Sequence, residues 1–210
     1  MSNYPFDPNS PLFPWDRPPA PLSGWVPSVP PSPLAYIPPD LIQPKRPRIF
    51  VSYQHSSDQA YYDLFSKTVH DAYESVFDNS LDRRIDSDKP DYVIQRIRDE
   101  FLKGSSCTIV LIGPTTYQRK FIDWEIKATL DKEHGLVGLQ LPNVVPDYVG
   151  WVRLPERFNA NINSGYAIWQ GINWQEVISN PASLKHHIAQ ACACPKHLIV
   201  NPKEIKKQNG

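Results

Sequence analysis

The sequence predicts an α/β domain with a central five-stranded parallel sheet, carried behind a proline-rich extended arm. Three observations predict it. From Arg48 onward, short β-rich runs alternate with stretches of helical spacing, the pattern of a parallel sheet covered by helices. The run "SCTIVLIG" is almost continuously apolar, as in a strand buried on both faces. The first 47 residues hold 15 of the 23 prolines, and proline removes an N–H and fixes φ, so neither helix nor central strand is expected there. Five strands across 48–200 fit the flavodoxin-like three-layer order 2-1-3-4-5.

Residues 1–47 form the arm, expected to be extended polyproline II. Its aromatics, among them Phe13, Trp15 and Trp25, suit packing on the domain or on a second protomer. The domain spans 48–200, and 201–210 is a polar tail. "RIFVSY" is the first strand. "DQAYYDLFSKTVHDAYESVF" predicts a helix, with Tyr61, Leu64, Phe65, Thr68, Val69 and Ala72 on its apolar face and Asp58 capping its start. A weak second strand is expected near "LDRRID". "DKPDYVIQRIRDEFLKGS" predicts a second helix, with Pro90 in its first turn and Gly104 at its end. "SCTIVLIG" follows as the third strand. "FIDWEIKATLDKEHG" is a third helix, stopped by Gly135. "LVGLQL" and "GYAIWQGI" supply the fourth and fifth strands, and "WQEVISNPASLKHHIAQACA" the last helical material.

The 22 basic and 22 acidic residues balance, so no nucleic acid or anionic membrane is implied as partner. No apolar run approaches the roughly 20 residues of a membrane helix. No basic segment leads into an apolar core, so no secretory leader is expected. Three cysteines make no disulfide framework, and a reducing cytoplasm is the expected location. "HHIAQACACPKH" has no ordinary zinc spacing, so no metal is expected.

In the predicted strand order the sheet reverses direction between the first and third strands, and ligands bind in that crevice at the carboxyl ends. The loops there are "YQHSSD" and "PTTYQRKFIDWE". Neither carries a dinucleotide fingerprint or a P-loop, and no nucleophile elbow is present. The loops bring Tyr53, His55, Asp58, Arg119, Lys120, Asp123, Trp124 and Glu125 to the crevice. A glutamate at a helix start can simply favour the helix dipole. Beside an aromatic it can also hold a ribose or stabilise positive charge growing on a sugar. Arg119 and Lys120 can neutralise a pyrophosphate or remain solvated.

"RIFVSYQHSSDQAYYDLF", "YVIQRIRDEFLKGSSCTIVLIGPTTYQRKFIDWEI" and the intervening "IDSDKPD" resemble the TIR-like family, more narrowly the bacterial TIR-like proteins of Thoeris antiphage defence. The resemblance covers residues 48 to about 134 well and the C-terminal part loosely. It implies an enzyme that cleaves NAD at the nicotinamide–ribose bond, NAD being substrate rather than cofactor. It implies an ADP-ribose-derived signal that activates a separate effector protein, a homo-oligomeric active form and a phage-derived activator. The glutamate of the Trp-Glu pair, here Glu125, is the implied catalytic residue. Tyr53, Gln54, His55, Asp58, Arg84, Asp86, Arg119 and Trp124 fall at the implied NAD-binding positions. The other possibility is a TIR-like interaction module that signals by self-association without catalysis.

Overall fold

Strand β3, Cys107–Ile112, is the centre of the sheet, and all six of its residues are buried. The computed structural model describes residues 48–71, 73–76, 89–169 and 172–210. They fall within Pro44–Gly210, the second of two units into which the chain divides. The arm, the expected strand at "LDRRID", Ala72, Arg84 and Asp86 lie outside the described residues.

In chain order, β1 is Arg48–Ser52, α1 is His55–Val69 and β2 is Glu74–Val76. Helix α2, Pro90–Arg96, runs on as a π turn over Ile97–Phe101, and Gly104 at φ 81° reverses the chain after it. Beyond β3 come α3, Lys120–Asp131, β4, Gly135–Gln140, and α4, Glu156–Asn163. Helices α5, Trp174–Ser179, and α6, Ser183–Ala193, follow. Asn180 and Pro181 separate those two, where proline cannot continue a helix. Among the described residues no helix is long and apolar enough to cross a membrane.

The sheet order is β2-β1-β3-β4, every pair parallel. The expected five-stranded sheet is therefore corrected to four strands among the described residues. "GYAIWQGI" pairs with β4 only through a bridge between Ile168 and Val137. Trp169 beside it packs edge-on against Phe158 of α4, with ring centroids 6.1 Å apart, so this segment is tied to a helix as well as to the sheet.

Side chains alternate across the strands. Ile49, Val51, Cys107, Ile109, Leu111, Val137 and Leu139 bury one face against α1, α5 and α6. Phe50 meets α2 and Trp124 of α3 on the other face. Val110, Ile112 and Leu136 meet α3 and α4 there. The result is three layers, with the carboxyl ends of β1 and β3 side by side.

Several helix boundaries differ from expectation: the first helix stops at Val69, and Glu74–Val76, expected within it, is strand β2. Helix α1 begins three residues early, so its buried stripe is Asp58, Tyr62, Phe65 and Val69, and Leu64 is 44 % exposed. Helix α3 ends at Asp131, not at Gly135. Glu133, at φ 55°, makes the turn, and the Gly135 N–H is already donated to the Ser106 carbonyl as β4 opens.

Candidate functional site

Ser52 ends β1 on the same face as Phe50, two residues along the pleat, and so faces α3. Its hydroxyl donates to Oε2 of Glu125 at 2.5 Å. Both groups are buried, Ser52 to 1 % and Glu125 to 4 % exposure. Helix α3 is held in axial position by hydroxyls. Thr129 donates to the Glu125 carbonyl at 2.8 Å, which leaves the 2.7 Å contact between Thr129 and Thr108 of β3 to be donated by Thr108. Because α3 begins at Lys120, Glu125 sits in the second turn. The helix-dipole effect fades beyond the first turn, so that explanation suits Asp123 and not Glu125.

The loop after β1 is built from its own contacts. Tyr53 stacks on Tyr62 at 4.3 Å with an interplanar angle of 5°. Its hydroxyl donates to Gln59 at 2.9 Å and lies 3.4 Å from Nδ1 of His55. Gln54 accepts from the Thr115 hydroxyl at 2.5 Å, which joins this loop to the one after β3. His55 opens α1 and is half-buried.

Asp58 lies under the second loop. It is fully buried, accepts from Ser57 at 2.9 Å, and its Oδ2 has no hydrogen-bond partner among the described residues. A Cβ on Gly113 would come within 2.3 Å of that oxygen, so glycine is the residue that lets the β3 loop close over it. Burial raises the Asp58 pKa above its usual 3.8, against opposing contributions from Ser57, Asn143 and Arg119. An aspartate whose folded-state pKa is raised destabilises the fold as pH climbs through the interval between its unfolded and folded values. Asp58→Asn is therefore expected to lessen the fall in stability from about pH 4 to pH 7. Denaturant midpoints at the two pH values check it, and an unchanged or steeper fall would refute it.

Trp124 does not line the crevice. It is a core residue packed with Phe50, Val93 and Ile97, and its indole N–H donates to the Lys206 carbonyl at 2.8 Å. Asp123 is likewise withdrawn. Nε of Arg157 donates to it at 2.9 Å, and the Lys206 N–H donates to its Oδ2 at 3.0 Å. Arg119 is half-buried at the N-terminus of α3, and its Nε is buried without a partner among the described residues. Lys120 places its ammonium 5.1 Å from the Phe121 ring centroid.

Among the described residues, two of the hollows at this end of the sheet lie beside these loops. A small one of about 20 Å³ is lined by Tyr53, Gln54, Arg119, Phe121, Ile122 and Asn209, one helical turn above Glu125. A larger groove of about 370 Å³ lies beyond the Gly113 loop, bordered by Tyr117, Trp151 and Arg153. Its acid, Asp147, is exposed, whereas Glu125 is buried. The structure thus brings Tyr53, Gln54 and Arg119 to one hollow, joins Glu125 to Ser52, sets His55 beside Tyr53 at the start of α1, and buries Asp58 and Trp124. Sequence reasoning missed Ser52, Arg157 and the tail. Only Ser52 had a visible signal, as the polar last residue of an apolar strand.

Residues 50–145 match the family model described as Thoeris protein ThsB, TIR-like domain. The TIR-like resemblance holds over that span, which runs from β1 to the loop after β4 and includes Ser52 and Glu125. Helix α4 and the tail lie outside it. No curated protein matches the chain.

Proposed function

We propose, from the premise of a TIR-like domain of the Thoeris kind at residues 50–145, that the protein cleaves NAD in antiphage defence. Nicotinamide is released, and an ADP-ribose-derived signalling nucleotide is made that activates a separate effector. The observation that carries this reading is the buried Glu125 carboxylate, held by Ser52 at the carboxyl end of β1. In the reaction the C–N bond between ribose and nicotinamide breaks, and its electron pair leaves with the neutral nicotinamide. Positive charge develops on the ribose. A fixed carboxylate in a water-poor site stabilises that charge far better than one in bulk water. Attack on the ribose carbon by water or another nucleophile completes the product. Tyr53, Gln54 and Arg119 line the small hollow at the start of α3, His55 stands beside Tyr53, and Arg119 has an unpartnered Nε suited to the pyrophosphate. A homo-oligomeric active form, a phage-derived activator and a cytoplasmic setting belong to the same proposal. Incubation with NAD, with and without phage-infected lysate, tests it by nicotinamide release. No release under either condition would count against it.

Ser52 orients the carboxylate. Ser52→Ala is expected to lower kcat about 10-fold or more with little change in KM, the scale of one hydrogen bond to a charged group. Ser52→Thr, which keeps the hydroxyl, should recover much of the rate. Equal loss in both variants would show that packing, not the hydrogen bond, matters.

A non-catalytic module that signals by self-association is the second reading. It draws on the loop after β4, where Val145, Tyr148, Val149 and Trp151 are exposed. Nicotinamide release separates the two.

A further inference from the structure

The tail has two parts with different attachments. Residues 201–206 are rooted in the domain. The Arg157 guanidinium donates to Asn201 Oδ1 at 2.8 Å and to the carbonyls of Lys203 and Glu204 at 3.1 and 3.2 Å. Asp123 and Trp124 hold the backbone of Lys206 from both sides. Residues 207–210 are all exposed. Among the described residues, two backbone-anchored hydrogen bonds hold them to the start of α3. The Lys120 N–H donates to Asn209 Oδ1 at 2.9 Å, and the Gly210 N–H donates to the Gln118 carbonyl at 3.0 Å.

That lightly held tip lies over the small hollow at the start of α3, about one helical turn before Glu125. Asn209 lines the hollow with Tyr53, Arg119 and Ile122, and what is left there is about 20 Å³. Such a space holds about one water, whereas small-molecule sites run from roughly 300 to 1,000 Å³. Neither a nicotinamide ring nor a ribose fits. Lifting the tip would free the Lys120 N–H beside the unpartnered Arg119 Nε. Both donors suit a pyrophosphate oxygen.

We propose that residues 207–210 are a hinged cover on the crevice, with 201–206 as its fixed root, so that the protein rests closed and NAD enters only when the tip lifts. The identity of the entering molecule rests on the proposed NAD cleavage, whereas the cover itself does not. An activator, or an adjacent copy of the chain, then opens the site simply by holding the tip away from α3.

The test uses the full chain, the full chain with Asn209→Ala, and a chain shortened to end at Lys206, which keeps every contact of the root named above. Each also carries Ile122→Cys as a probe inside the hollow, since Ile122 is 2 % exposed. Labelling of the probe by a small charged thiosulfonate is measured against the same chains without the probe. Nicotinamide release is measured in parallel on the chains without it, in the absence of activator. Labelling and release are both expected to rise about tenfold in Asn209→Ala and further in the shortened chain, the factor expected from losing one or two ordinary hydrogen bonds. Equal labelling in all three chains would overturn the cover. Faster labelling with no nicotinamide release, even with activator, would uphold the cover and count against NAD as substrate. If the shortened chain unfolds, Asn209→Ala decides the matter alone.

Discussion

Glu125→Gln is expected to reduce nicotinamide release by about a hundredfold or more while the thermal midpoint barely moves. A preorganised charge facing a developing cation contributes roughly 3 kcal/mol or more to the transition state, and each 1.36 kcal/mol is about tenfold in rate. The amide keeps the shape and can still accept the Ser52 hydrogen bond. Lost activity in a folded protein therefore reports the missing charge. Asp123, two residues away, cannot serve as the control, because it is half of a buried ion pair. Glu100→Gln is the better control. Glu100 is exposed and pairs only across the surface of α2 and its π turn, with Arg96 at 2.6 Å. Near-wild-type release in Glu125→Gln, measured with activator, would remove the catalytic assignment.

The largest effect on stability is expected at Asp123. Its partner Arg157 is 0 % exposed, so Asp123→Ala leaves a guanidinium in the interior without its counter-charge. Breaking a buried pair from one side costs about 3–5 kcal/mol. For a chain of this size that is a fall of roughly 6–20 °C in Tm. The same substitution removes the acceptor of the Lys206 N–H, so the tail loosens with it. Replacing both partners, Asp123→Leu with Arg157→Met, should recover most of the loss, since the cost lies in the orphaned charge. Denaturant unfolding of the two variants measures both effects. A loss under about 1 kcal/mol for the single variant would mean that the pair is solvated.

How much could be read in advance depended on where polarity and burial agree. Strand β3 was legible because every residue is apolar or small and all six are buried. Helix α4 was not. Its buried residues are Arg157, Phe158 and Asn161, two of them polar, so the apolar periodicity that marks a helix is absent. The burial of Arg157 depends on Asp123, 34 residues earlier, and on carbonyls more than 40 residues later. No local window contains that information. The burial of Trp124 was hidden for a related reason. An aromatic beside a functional glutamate resembles a stacking platform, but a helix turns about 100° per residue. If Glu125 faces β1, its neighbour faces elsewhere, and here that is the α2 packing layer. The tail was polar in composition, yet the carbonyls of Asn201, Lys203, Glu204 and Lys206 also accept hydrogen bonds from the domain, and composition says nothing about those. Glu125 was legible in place but not in setting. Its partner Ser52 lies 73 residues away, and only the alternation along β1 points the two at each other.

The Arg157 cluster also imposes an order on biosynthesis. Translation delivers Asp123 and Arg157 well before Lys206. At about 5–20 residues per second the stretch between Arg157 and Lys206 takes roughly 2–10 s to make. Until then the guanidinium lacks the carbonyls of Lys203 and Glu204. A cation that the finished fold buries completely therefore keeps vacant donors until the tail is made.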